Sequence, residues 1–118
     1  MLKIMGKSQA SIEQMQAYIK KVNPQVSDSV TKMISLYITE GSTEGVRGDI
    51  AFAQSCLETG NFTFSGSAVT LDQNNFCGLG VNITGKKGCS FKTAKEGIRA
   101  QIQHLQAYAC TDGLKQKC

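Results

Sequence analysis

The chain has 118 residues, 41% of them apolar and 19% charged, a length that fits one domain and a composition that excludes a disordered tail or a coiled coil. Thirteen Lys and Arg against nine Asp and Glu leave a net charge of +4. That is mild attraction to polyanions without the clustered or aromatic-interleaved basic residues of a nucleic-acid binder. No apolar run approaches the roughly 20 residues that span a bilayer, and the opening MLKIMGKSQAS has no secretory-type apolar stretch, so no membrane insertion is expected.

SIEQMQAYIKKV places Ile12, Met15, Ile19 and Val22 at spacings of three and four behind a capping Ser11, predicting an amphipathic helix that NPQV ends. A second helix is predicted from about Ser27 to Thr39, with Val30, Met33, Ile34, Tyr37 and Ile38 on one face, before EGSTEG breaks the pattern. A third begins near Val46, and the stripe Val46, Ile50, Ala53 and Leu57 reads as its buried side. From Gly60 to Ser90 the chain becomes rich in Gly and Asn, with one alternating run, SAVTLDQ, that reads as a strand of a possible hairpin. A last helix runs through TAKEGIRAQIQHLQAYA, with Ala94, Ile98, Ile102, Leu105 and Ala109 on one face and a Thr93/Glu96 capping box. His104 falls near that face, where it reads as a structural histidine.

The five cysteines are odd in number and contain no CxxC, and His104 is the only histidine, so neither a metal site nor a cofactor is expected. Cys56 and Cys77 read as small core residues, and Cys110 with Cys118 as a pair able to close a surface loop.

The chemically suggestive residue is Glu58, in QSCLETGNF, at the end of the third helix. A helix C-terminus with apolar Phe62 and Phe64 nearby favours a protonated carboxyl, the form a general acid needs. Phe62, Phe64 and Phe76 supply flat apolar faces that suit pyranose rings, although each also reads as core packing. Gln73, Asn74 and Asn75 supply amides that suit hydroxyl and acetamido groups. Glu40 and Glu44 read as turn residues, and Asp49 as a partner of Arg47 or of a helix start.

EGVRGDIAFAQSCLETGNF, QNNFCGLG and SFKTAKEGIRAQIQHLQAYA, in that order, resemble the bacterial glucosaminidase family, the endo-β-N-acetylglucosaminidase domain of peptidoglycan hydrolases and autolysins. The resemblance covers roughly 36–109 of a domain read as 1–118. It implies a mainly α, lysozyme-like helical domain with a small loop-rich or β-hairpin lobe across a glycan-binding groove. It implies that Glu58 is the catalytic acid and that Asn75, Phe76 and Gly78 lie beside the glycan cleft; Gln54, Phe62 and Gln73 are further residues expected to contact substrate. Peptidoglycan glycan strands are then the partner, and the location is extracellular or in the cell wall. Two departures follow. The only acid between Gly60 and Ser90 is Asp72, the sole candidate there for a second carboxylate. The family's domain also continues through further helices, so a C-terminally truncated domain is expected. Rival readings are a lysozyme-like muramidase or lytic transglycosylase, and a non-catalytic wall-binding module. Oligomeric state is not legible.

Overall fold

The computed structural model describes residues 3–66, 69–79 and 89–112, with side chains through Ala109. Its elements are α1 (Ile12–Val22), α2 (Asp28–Glu44), α3 (Gly48–Thr59), a single 3-10 turn at Leu71–Gln73, and α4 (Ala94–Asp112). The fold is mainly helical and compatible with a lysozyme-like helical domain. Among the described residues there is no strand beyond an isolated antiparallel bridge between Met5 and Val46.

Local chemistry sets the helix ends. Ser11 accepts from Gln14 N at 3.1 Å while Gln14 Oε1 accepts from Ser11 N at 2.8 Å, a reciprocal cap that satisfies donors the helix cannot. Ser27 caps α2 in the same sense through Val30 N. The second helix runs past Thr39 to Glu44, further than the sequence pattern predicts; in these added turns Glu40 and Gly41 are buried while Ser42 and Thr43 face solvent. Gly41 lies so close to the following chain that a Cβ there would stand 2.6 Å from Val46 O. Gly45 then ends the helix in the left-handed conformation, φ 71°, with its N–H bonded to Gly41 O and Ser42 O. Glu40 is therefore not a turn residue. It is buried, and its Oε1 accepts from Arg99 Nε on α4 at 2.7 Å.

α2 lies against α1, α3 and α4, and α3 also meets α4. The core therefore forms around Ile19, Ile34, Tyr37, Ile98 and Ile102. A run of aromatic rings crosses it: Phe52 packs edge-on to Tyr37 with centroids 5.6 Å apart, stacks on Phe62 at 6.0 Å, and Phe62 meets Phe76 at 5.9 Å.

Three packing expectations are corrected. Val22 at the end of α1 is partly exposed rather than buried. The buried side of α3 is Ala51, Phe52, Ser55, Cys56 and Thr59, not the stripe through Ile50, Ala53 and Leu57; Leu57 is 83% exposed. His104 faces solvent on α4. The strand expected in SAVTLDQ is also corrected where it can be seen. Ser67 and Ala68 lie outside the described residues, and Leu71–Gln73 forms the 3-10 turn, closed by Thr70 N donating to Gln73 Oε1 at 3.0 Å. A side chain bonding backbone close by in sequence, as Gln73 does here, competes with a ladder. The rest of a hairpin, over 80–88, and the Cys110–Cys118 pairing lie outside the described residues.

Candidate active site

Glu58 stands in the last turn of α3, exposed, with no basic residue in that turn. The chain leaves the helix through an unusual sequence of left-handed residues: Gly60 at φ 60°, Asn61 at 55° and Phe62 at 63°. Only glycine adopts this region freely, so holding Asn61 and Phe62 there requires neighbours that over-determine it. Those neighbours are present. Thr59, fully buried, donates to Ser55 O at 2.6 Å and accepts from Phe62 N at 2.9 Å. From α1, Asn23 Nδ2 donates to Asn61 O at 2.9 Å and Tyr18 Oη to Asn61 Oδ1 at 3.1 Å. The turn throws Phe62 inward onto Phe52 and Phe76 while Glu58 stays outside.

A second segment approaches Glu58 from the other side. Gly78, at φ 73°, lies with its missing Cβ position 3.5 Å from Glu58 Oε2, and Cys77 is close enough for the carboxylate to raise its thiol pKa. Gly78 is needed for its backbone conformation, and it also leaves bare backbone beside the carboxylate. Asn75 shapes this loop from within. It is 1% exposed, and its Oδ1 accepts from Leu79 N at 3.0 Å while its Nδ2 donates to Leu79 O at 2.8 Å and Cys89 O at 3.0 Å. Asn74 Nδ2 donates to Phe91 O at 3.0 Å, and Gln73 Nε2 to Cys89 O at 3.5 Å. Asp72 is exposed and accepts from Thr70 Oγ1 within the same turn.

The predicted site residues therefore divide. Glu58 and Gly78 are brought together. Asn75 supports the loop and offers no amide to a ligand from its buried position. Phe62 and Phe76, at 5% and 0% exposure, pack the core, which corrects the expectation that they present faces to sugar rings; Phe64 is only partly buried.

Gln54, one turn before Glu58, belongs to a network the sequence did not reveal. Tyr37 Oη donates to Ser55 Oγ at 2.8 Å, and Ser55 Oγ donates to Gln101 Oε1 at 3.1 Å. Gln101 Nε2 donates to Ala51 O at 2.9 Å and to Gln54 Oε1 at 3.0 Å. Because Ala51 O can only accept, the Gln101 amide has one orientation, and Gln54 must turn its oxygen toward Gln101 and its NH2 away. Burial pushes the Tyr37 hydroxyl far above the usual tyrosine range, so it stays a donor. The available signal was Gln101 itself, a polar residue on the apolar face between Ile98 and Ile102.

At the other end of α3, Asp49 does what its spacing suggests and more. It takes a two-pronged ion pair from Arg47, Nε to Oδ1 at 3.1 Å and Nη2 to Oδ2 at 2.8 Å, and it accepts from the backbone of Gln9, Ala10 and Ile50. Glu58 lines neither of two large cavities. One of about 540 Å³ lies between α1 and the first half of α3, beside Tyr18, Asp49 and Ala53; one of about 570 Å³ is bounded by Asn23, Phe64 and Leu71. Among the described residues no group of His, Cys, Asp and Glu is arranged to hold a metal ion.

A family model described as Mannosyl-glycoprotein endo-beta-N-acetylglucosaminidase, the glucosaminidase family, matches residues 34–117. An uncharacterised protein of Borreliella burgdorferi is 38% identical over 113 residues, which are 95% of this chain and 55% of that protein. The chain thus spans about half the length of that relative. No solved structure matches it.

Proposed function

The chain belongs to the glucosaminidase family, and from that premise we propose that it hydrolyses peptidoglycan outside the cytoplasmic membrane, cutting the β-1,4 bond after N-acetylglucosamine with Glu58 as the general acid. The observation that carries this reading is the pairing of an exposed helix-end carboxylate with bare backbone at Gly78. Gly78 itself puts no side chain against the carboxylate.

Glu58 protonates the glycosidic oxygen as the C1–O bond breaks. An inverting enzyme would need a second carboxylate roughly 6.5 to 9.5 Å away to activate water, and a retaining one a nucleophile at roughly 5 to 5.5 Å. Asp72, the one acid in the lobe, is engaged in its own 3-10 turn, which favours a route in which the substrate supplies the nucleophile. The carbonyl oxygen of the 2-acetamido group attacks C1 as the leaving sugar departs with the Glu58 proton. Water then opens the cyclic intermediate at C1 and returns a proton to Glu58.

The test is digestion of purified peptidoglycan by the chain, by Glu58→Gln and by Asp72→Asn, with mass spectrometry of borohydride-reduced fragments. New reduced N-acetylglucosamine ends from the wild type and Asp72→Asn, lost in Glu58→Gln, are expected. Loss of activity in a folded Asp72→Asn comparable to that in Glu58→Gln refutes the single-acid route. Reduced N-acetylmuramic acid or 1,6-anhydro ends move the assignment to a muramidase or lytic transglycosylase. Glycan binding without cleavage makes the chain a wall-binding module.

A further inference from the structure

One buried side chain ties together Cys77, whose thiol feels the Glu58 carboxylate, and Cys89. The Asn75 carboxamide accepts from Cys77 N at 3.4 Å through Oδ1 and donates to Cys89 O at 3.0 Å through Nδ2. The same amide bonds both backbone groups of Leu79, and Leu79 O accepts in turn from Cys89 N at 2.8 Å. Oxygen and nitrogen of a single carboxamide are fixed neighbours, so the Cys77 amide and the Cys89 carbonyl meet the same side chain although twelve positions separate them in the sequence. Both backbones are thus held against one side chain, in the neighbourhood where a disulfide, which needs Cα atoms roughly 4.4 to 6.8 Å apart, can be closed. Both cysteines are unpaired; Cys89 is exposed and Cys77 partly so, whereas Cys56 is buried in the core.

We propose that Cys77 and Cys89 form a disulfide site, a covalent staple that holds the 75–79 loop in place beside Glu58. Its chemistry is thiol–disulfide exchange with a low-molecular-weight disulfide. The Cys89 thiolate attacks one sulfur of the reagent and expels one thiolate, leaving a mixed disulfide on Cys89. Cys77, giving its proton to solvent, attacks the Cys89 sulfur and expels the second thiol. The two cysteines lose two electrons and two protons, and the reagent gains both as two free thiols. Exposed Cys89 makes the first attack. Burial, aided by the nearby Glu58 and Cys89 charges, pushes the Cys77 thiol up to about 11, so Cys77 is not the first to attack, and its own attack relies on being intramolecular. Burial holds the Cys56 thiol at about 12, outside the exchange.

The geometry carries this site independently of the proposed hydrolase activity, and the experiment does not read activity. The folded chain is incubated with oxidised glutathione, its remaining thiols are alkylated, and the peptides are mapped by mass spectrometry. The expected product is the Cys77 peptide joined to the Cys89 peptide, with Cys56 free and alkylated only after unfolding. The same crosslink should form in a Cys110→Ser/Cys118→Ser variant and vanish in Cys89→Ser, where Cys77 stays a free thiol. Pairing of Cys89 with Cys110 or Cys118 instead, or a glutathione adduct on Cys89 that Cys77 never resolves, overturns the proposal.

Discussion

Asp49 does more structural work than its spacing alone shows. Two residues after Arg47 and at the start of α3, it reads from sequence as an ion-pair partner or a helix-start residue, and it is both. What the sequence does not display is that Asp49 Oδ2 also accepts from Gln9 N at 3.0 Å and Ala10 N at 3.2 Å, because those partners lie some forty positions away. Burial works to raise its pKa, but the hydrogen bonds from Arg47, Gln9 and Ala10 together outweigh it and hold the carboxyl below the ordinary 3.8. A carboxyl depressed on folding contributes stability that is present above its unfolded value and lost as pH falls through its folded value. Asp49→Asn should therefore lower stability at neutral pH by about 1–3 kcal/mol. It should also flatten the acid side of the profile below about pH 4, measured as urea midpoints across pH. A variant with an unchanged acid limb would mean that other carboxyls govern it. Gln101 shows the opposite limit of legibility: one polar letter on an apolar face announces a buried partner without naming it, and the partners Ser55, Ala51 and Gln54 come from another helix.

The existence of all four helices is legible in apolar spacing of three and four, although α2 continues past the expected Thr39 to Glu44. The inward face of α3 was not, for a physical reason. Ile50, Ala51, Phe52, Ala53, Cys56 and Leu57 make this helix apolar around most of its circumference, so periodicity names no single side. The choice falls to close packing: Gly48 sits against the Tyr37 carbonyl, where any Cβ would overlap it, and Ala51 is wholly buried. The first turn of α4 meets the site lobe by the same device. A Cβ at Gly97 would overlap Asn74 O, and Asn74 adjoins the Asn75 that shapes the loop beside Glu58. Gly97→Ala gains about 1 kcal/mol in helix propensity, yet it must part α4 from the 71–75 segment. The expected net is a loss of about 1–3 kcal/mol, read from denaturant midpoints. A stabilised variant would show that the lobe yields to α4 freely.

At the scale of the molecule, α2 is the element every other helix needs, since α1, α3 and α4 all pack on it. Sequence could supply its buried letters but not this centrality, because helix pairing depends on partners and crossing geometry rather than on any one helix's period. Two apolar residues on neighbouring helices put that architecture to the test. Ile34 on α2 has no exposed surface, and Leu57 on α3 is 83% exposed. Ile34→Ala leaves a cavity that three packed helices close only in part, so it should cost about 2–5 kcal/mol. Leu57→Ala removes a side chain that is already in water and should stay within about 0.5 kcal/mol of the parent. Both are measured by urea unfolding, and an unchanged slope in each case would show that the same surface is exposed in one cooperative step. A shallower slope for Ile34→Ala would mean that α2 can loosen from part of the bundle while the rest stays folded. A loss at Leu57 as large as that at Ile34 would mean that in solution the outer face of α3, immediately beside Glu58, is covered by apolar contact.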